Sequence, residues 1–190
     1  MTDSNSRSLV DANQACLDVS RQARKGVPEI VLSSTKTVSQ CLKIADTFLR
    51  EAGRAILSRV SPELEAALRQ EYGEDGLLEW YPASRAAIIR RPGARVAPTG
   101  GRVGVITAGT SDQPIAEEAA IVCQEMGCTV QTVYDVGVAG LHRLFPPLER
   151  MLADAVDVLI VAAGMDGALP SVVSGLVDVP VIGLPTSVGY

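Results

Sequence analysis

The stretch that most constrains this chain spans residues 101–190, where an apolar run followed by a polar, glycine-containing loop occurs four times. The runs are residues 103–107, 129–134, 156–163 and 179–184, and the loops are 108–114, 135–143, 164–170 and 185–190. Near-continuous apolar runs alternating with helical patterns spell strands of a parallel sheet buried on both faces. Ligands of such sheets bind beyond the carboxyl ends of the strands, where these loops gather. A candidate site is therefore placed by topology alone. The chain stops straight after the fourth strand and loop, whereas a doubly wound sheet ordinarily continues into another helix. The expectation is a domain truncated after its fourth strand.

Composition narrows the class further. Hydrophobic residues make up 47% of the chain but aromatics only 4%, so Ala, Val, Leu and Ile must build the core, as suits a layered α/β protein. A formal charge of −5 with no sustained Lys/Arg run argues against a nucleic-acid partner. With no secretory signal and no apolar run of about 18 residues, the chain reads as cytoplasmic, with no membrane partner. Cys16, Cys41, Cys123 and Cys128 have neither paired zinc spacing nor the density of a disulfide scaffold.

Residues 1–13 are polar and lack periodicity, which predicts a frayed end. A helix is expected from about Ala12 to Lys25, stopped by Gly26 and Pro28, with Arg21 and Arg24 sharing one face. That face is either a solvated basic surface or a ligand contact. Residues 28–33 suggest a strand, and Thr37 then caps a helix reaching about Gly53. Val38, Cys41, Ile44, Ala45, Phe48 and Leu49 form its apolar stripe. A strand at 55–59, a helix opened by Ser61 and Pro62, and a strand through 86–89 follow. Residues 91–101 are rich in Gly and Pro and serve as the linker. The expectation is a small α/β amino-terminal domain over 1–94 and a flavodoxin-like parallel-sheet domain over 95–190. In the second, Asp112 or Gln113 caps a helix with Pro114 in its first turn. Its buried face is expected to be Ile115, Ala119, Val122, Cys123 and Met126, with Cys128 buried at the next strand. Helices at 141–155 and 170–177 complete the alternation.

Three loops carry candidate chemistry. In Ala108-Gly-Thr-Ser-Asp112, Gly109 permits close backbone approach, Thr110 and Ser111 supply hydroxyls, and a helix amino terminus favours an anion. Asp112 would repel a phosphate, so it is expected to face a ribose, a water or a proton, or else to act as a plain helix cap. His142, the only histidine, follows Gly137-Val-Ala-Gly140 with Arg143 beside it. Asp166 sits between Gly164 and Gly167, where a carboxylate can approach a ligand and act as a base, or simply close an Asx turn.

Taken together, Thr107-Ala-Gly-Thr-Ser-Asp-Gln-Pro-Ile-Ala-Glu-Glu-Ala119, Asp135-Val-Gly-Val-Ala-Gly-Leu-His-Arg143, Ala163-Gly-Met-Asp-Gly-Ala-Leu169 and Pro185-Thr-Ser-Val-Gly-Tyr190 resemble the LarB family. So do Leu17-Asp-x-x-Arg21-x-x-Arg24-x-Gly26-x-Pro28-Glu29 and Lys36-Thr37 in the first half. LarB proteins are pyridinium-3,5-biscarboxylic acid mononucleotide synthases of nickel-pincer nucleotide cofactor biosynthesis, which serves lactate racemase maturation. Their catalytic domain is similar to the PurE (aminoimidazole ribonucleotide carboxylase) domain. The resemblance implies carboxylation of C5 of the pyridinium ring of nicotinic acid adenine dinucleotide by CO2 or bicarbonate, with phosphoanhydride hydrolysis releasing AMP. It implies Asp166 and His142 as catalytic. It implies substrate contacts from Gly109, Thr110, Ser111, Asp112, Arg143, Gly164, Met165, Gly167 and Ser187, and from Asp18, Arg21, Arg24 and Lys36. It further implies Mg2+, no organic cofactor, and a homo-oligomer, an octamer in the PurE-like case. Where the family commonly has Glu, this chain has Asp166. The family's nucleophilic cysteine lies in an Asn-Ser-Cys stretch one helix beyond the Ser-Val-Gly-Tyr motif, and none of the four cysteines here matches it. The expectation is that these 190 residues bind nucleotide without forming the covalent adduct.

Three rivals remain at this stage. A purine-pathway carboxylase or mutase would place tryptophan after the Ser-Asp pair, where Gln113 stands. An FMN-binding module would stack aromatics on its flavin, and the loops offer only Tyr134 and Tyr190. A noncatalytic scaffold would show no nucleotide-dependent thermal shift.

Overall fold

A computed structural model describes residues 8–10, 15–74 and 76–188, and divides the chain into two compact units, Met1–Arg95 and Val96–Tyr190. In the first unit, β1 (Ser8–Val10) pairs antiparallel with β2 (Ala15–Leu17). Helix α1 (Arg21–Lys25) follows and ends at Gly26 in the left-handed region. The helix expected from Ala12 is thus corrected to a strand and a five-residue helix. Inter-strand pairing, a nonlocal gain, outcompetes a marginal helix too short to hold itself together. Residues 1–7 and 11–14, which carry most of the expected frayed end, lie outside the described residues, as do the side chain of Cys16 and residues 189–190.

A four-stranded mixed sheet forms the body of this unit in the order β3-β4-β6-β5. Its strands are β3 (Val31–Leu32), β4 (Arg54–Ser58), β5 (Leu78–Tyr81) and β6 (Ala86–Arg90). β3 and β4 run parallel across helix α2 (Val38–Ala52), and the remaining pairs are antiparallel. Thr37 accepts the Gln40 N–H while the Gln40 side chain accepts from the Thr37 N–H, a capping box, and left-handed Gly53 closes the helix. Cys41, Ile44, Ala45, Phe48 and Leu49 are buried as the stripe predicts. Helix α3 (Pro62–Tyr72) is capped by Ser61, and its Tyr72 hydroxyl donates to Asp46 of α2 at 2.5 Å. Strand β5 was not anticipated. Its sequence, Leu-Glu-Trp-Tyr, becomes a strand through its hairpin pairing with β6.

The second unit holds β7 (Arg102–Thr107), helix α4 (Gln113–Glu125), β8 (Thr129–Val133), helix α5 (Phe145–Ala153), β9 (Val158–Ala163), helix α6 (Ala168–Ser174) and β10 (Val181–Pro185). All four strands are parallel, in the order β10-β9-β7-β8. Two apolar clusters, one around Ile106, Leu144, Leu148, Leu159 and Val161 and one around Val105, Ala116 and Ala120, occupy the core. The buried face of α4 differs from the expected one. Ala116, Ala120, Ile121 and Glu125 are buried, while Ile115, Ala119, Val122, Cys123 and Met126 are only partly covered. Small alanines let the helix lie close on the sheet, and that packing, not the local pattern, sets its rotation. Cys128 is likewise partly rather than fully buried. No helix among the described residues is long and apolar enough to cross a membrane.

Candidate functional site

Strand order fixes where a ligand can enter. From β7 the chain moves outward to β8, then crosses back to β9 and β10 on the other side of β7. The switch point therefore lies between β7 and β9, and the loops leaving their carboxyl ends part there to open a crevice.

The first loop leaves β7 at Thr107, whose fully buried hydroxyl accepts the Asp135 N–H at 3.0 Å and so ties it to the loop after β8. Residues 110–112 form a 3-10 turn before α4. Thr110 and Ser111 point outward and are exposed. Asp112 is 2% exposed, and both its oxygens are engaged: Oδ2 accepts the Gly109 N–H at 2.9 Å and Oδ1 accepts the Thr186 hydroxyl at 2.5 Å. The residue stands at the N-cap position of α4 without making a side-chain cap to that helix. Its carboxylate clasps the first and fourth loops together instead of facing a ligand.

The second loop passes through Asp135, a non-glycine residue at φ 60, into a 3-10 segment (Val138–Arg143). A Cβ on Gly137 would lie 2.6 Å from the Ala108 carbonyl oxygen, so the first and second loops touch backbone to backbone. The Arg143 guanidinium donates to Asp135 at 2.7 Å, and both side chains are about half exposed. His142 is exposed on the same segment. The expected continuous helix from 141 is thus split at Leu144 into this 3-10 turn and α5.

The third loop carries Met165 at φ 49, a left-handed conformation that costs a non-glycine residue about 1–2 kcal/mol. Met165 is 76% exposed, and Asp166 beside it is exposed too. A strained loop tip presenting an apolar thioether and a carboxylate to solvent suits a surface waiting for a ligand. Gly164 sits beneath the fourth loop, where a Cβ would meet the Val188 carbonyl oxygen at 1.5 Å. The Thr186 N–H donates to Ala163 at 3.1 Å, completing the closure. Ser187 is exposed above it.

The structure thus brings Gly109, Thr110, Ser111, Asp112, His142, Arg143, Gly164, Met165, Asp166, Gly167 and Ser187 to one edge of the sheet. It does not bring the four amino-terminal candidates together. Asp18, Arg21 and Arg24 line one open cleft with Lys25 and Val27, and there Arg21 pairs with Glu29 at 2.8 Å and Arg24 pairs with Asp18. The neighbouring Gln22 accepts from Arg54, at the start of β4. Lys36 follows the opposite end of the same sheet, donating from Nζ to the Leu32 carbonyl at 2.8 Å. Thr107, Asp135 and Thr186 were missed as members of the carboxy-terminal site. Each had a local signal: Thr107 and Asp135 open the motifs of the first two loops, and Thr186 stands beside Ser187 in the fourth.

Within the carboxy-terminal unit no described cysteine reaches this edge. Cys41 is fully buried in the other unit, and burial pushes its thiol pKa up. Cys123 and Cys128 sit at the far end of the sheet, beside the start of β7, and burial raises the Cys123 thiol as well. Among the described residues no three His, Cys, Asp or Glu side chains converge on a metal-sized site.

Comparison with known proteins agrees with this layout. Residues 9–91 match the LarB/PurE-like N-terminal domain, and residues 102–190 match AIR carboxylase. An uncharacterized protein of Methanocaldococcus jannaschii is 41% identical over 176 residues, 92% of this chain and 68% of that protein. N5-carboxyaminoimidazole ribonucleotide mutases of Thermotoga maritima and Pyrococcus horikoshii are 31% and 30% identical over 88 and 87 residues. Each mutase alignment takes in 44% of this chain, and the chain spans about half the length of each mutase.

Proposed function

We propose, from the premise that this chain belongs to the LarB family and joins a LarB-type amino-terminal domain to an AIR carboxylase (PurE-like) domain, that it is a carboxylase acting on a pyridine dinucleotide. The reaction is carboxylation of C5 of nicotinic acid adenine dinucleotide with hydrolysis of its phosphoanhydride, giving the biscarboxylated mononucleotide and AMP. The observation that carries this reading is the convergence of four loops at the β7/β9 switch point in a chain that also has the LarB-type domain.

The chemistry follows from the substrate. A pyridinium C5 is too electron-poor to attack CO2. A thiolate adding to C4 gives a dihydropyridine whose C5 is an enamine carbon, and this carbon attacks CO2. A base then takes the C5 proton, the nitrogen lone pair expels the thiolate from C4, and the ring regains its aromaticity. Asp166 is the base in this reading, because it is an exposed carboxylate on a strained loop at the crevice. Exposed His142 serves as the second proton carrier. Arg143 meets an anionic group of the substrate once it leaves Asp135, and the N–H groups of Thr110 and Ser111 face the ribose-phosphate. Asp112 holds the loops in register. In this reading the thiol is neither Cys41, which is buried in the core of the amino-terminal unit, nor Cys123 or Cys128, which sit at the far end of the second unit's sheet. The described carboxylates do not build a cage for Mg2+, so the ion enters only as one carried by the substrate phosphates and water, and no step is routed through it. The active form is proposed to be a homo-oligomer, which light scattering tests directly.

The mutase relatives favour a second reading, isomerisation of carboxylated aminoimidazole ribonucleotides at the same edge. One experiment separates the two. The protein, as these 190 residues and in a form extended beyond Tyr190, is incubated with nicotinic acid adenine dinucleotide, bicarbonate and Mg2+, or with N5-carboxyaminoimidazole ribonucleotide, and products are resolved by mass spectrometry. Biscarboxylated mononucleotide with AMP supports the first reading. Isomerisation of the aminoimidazole replaces it with the second.

A further inference from the structure

The amino-terminal sheet has a basic end of which the LarB resemblance uses only Lys36. β3 and β4 are parallel and in register Leu32 to Ser58, so Lys36 and Arg59 emerge beyond the same end. β6 runs antiparallel to β4, which brings Arg85, just before it, to that end as well. The Val60 N–H donates to the Arg85 carbonyl at 2.9 Å, so the two arginines spring from touching backbone segments. Both side chains are exposed, as are Ser34 and Thr35 just after β3.

Two features set this pair apart. Most arginines of the unit are engaged: Arg21 with Glu29, Arg24 with Asp18, Arg54 with Gln22, Arg69 with Glu65, and Arg91 with the Arg50 carbonyl. Arg59 and Arg85 have no such partner among the described residues. Both also hold left-handed backbone, φ 54 and φ 53, where glycine is the residue the conformation favours. An arginine there costs stability at each position. Two like-charged side chains without a partner among the described residues, carried on touching left-handed backbone segments, can both turn to one added anion. A phosphate accepts from two guanidinium forks and an ammonium at once, and guanidinium geometry matches its oxygens.

We infer that Lys36, Arg59 and Arg85 form a binding site for a phosphate group, carried by a nucleotide or as the free oxyanion. The site lies wholly within the amino-terminal unit and stands whether or not the carboxylation reading holds.

Glycine provides the test, because Arg59→Gly and Arg85→Gly remove the charge while relaxing the backbone. The full chain, labelled with 15N, is titrated with inorganic phosphate and separately with AMP, following the arginine Nε–Hε resonances and calorimetric heats. The Arg59 and Arg85 resonances are expected to shift together with a single Kd. The double glycine variant is expected to keep or raise its Tm and to bind phosphate at least about tenfold more weakly, as the loss of charge-assisted hydrogen bonds dictates. AMP binding tighter than phosphate identifies a nucleotide as the source, and equal affinity identifies the free oxyanion. Unshifted Nε–Hε resonances with both ligands, or an unchanged Kd in the glycine variant, overturn the inference.

Discussion

Replacing Gly164 with alanine tests whether the fourth loop is held where the site needs it. The new methyl would stand 1.5 Å from the Val188 carbonyl oxygen, 2.7 Å from its carbon and 3.1 Å from the Thr186 hydroxyl. Ordinary contact begins near 3.4 Å, so the backbone at residue 188 must retreat by about 2 Å. Overpacking of this kind costs about 1–3 kcal/mol. If the loop yields, the 2.5 Å bond from Thr186 to Asp112 is strained or lost, and a hydrogen bond to a charged group contributes about 1.5–3 kcal/mol. These costs are alternatives more than a sum, so the expected loss is about 2–3 kcal/mol. In a domain of about 95 residues that lowers Tm by about 8–24 °C. Gly167→Ala is the control: its φ of 62 disfavours alanine, but nothing lies within 4 Å of the new methyl, so it should cost only about 1 kcal/mol. Calorimetry on the two variants and on Thr186→Val gives the comparison. Combined with Thr186→Val, Gly164→Ala should cost less than the two single effects added, because both act through one contact. A Gly164→Ala chain as stable as the Gly167→Ala chain, or a strictly additive double variant, would refute the reasoning.

Other expectations concern the loops and the thiols. In the form extended beyond Tyr190, Asp166→Asn should lower carboxylation turnover by about 10²-fold or more while nucleotide affinity, from isothermal titration, stays within about threefold. Asp135→Asn should change stability by less than about 1 kcal/mol, since the pair to Arg143 is about half exposed, and urea unfolding measures it. Timed alkylation with iodoacetamide should modify Cys128 before Cys123, and Cys41 only on unfolding, because burial hides Cys41 and holds its thiol protonated. A thiol whose folded pKa is raised contributes fully below its unfolded pKa, near 8.5, and the contribution is lost as pH rises through the higher folded value. Cys41→Ala should therefore flatten the alkaline fall in unfolding free energy that begins near the unfolded thiol pKa, about 8.5.

How far the fold was legible can be judged element by element. Strands β7 and β9 were visible because each is a near-continuous apolar run buried in the core, whereas the edge strands β8 and β10, without a fully buried residue, were visible through their place in the strand–loop–helix alternation. Helix α2 was visible through Thr37 at one end and Gly53 at the other. Strands β2 and β5 were hidden, since each is stabilised by a partner strand and not by its own residues. The rotation of α4 was hidden for a related reason, because alanine carries little hydrophobic signal yet sets how closely a helix can approach a sheet.

At the site the same division holds. Sequence alone determined which residues lie in loops beyond strand ends, because strand direction and alternation follow from local periodicity, and so it brought Ser111, His142 and Asp166 to one edge. Only the tertiary structure decided what each does there. Asp112 meets Thr186 across 74 positions of chain, which turns an expected ligand-facing carboxylate into a buried clasp. Lys36 and the Arg21–Arg24 pair belong to one unit but fall at opposite ends of its sheet. A helix period or a strand alternation is written in neighbouring residues, whereas the partner of a charge is chosen by packing between segments far apart in the chain.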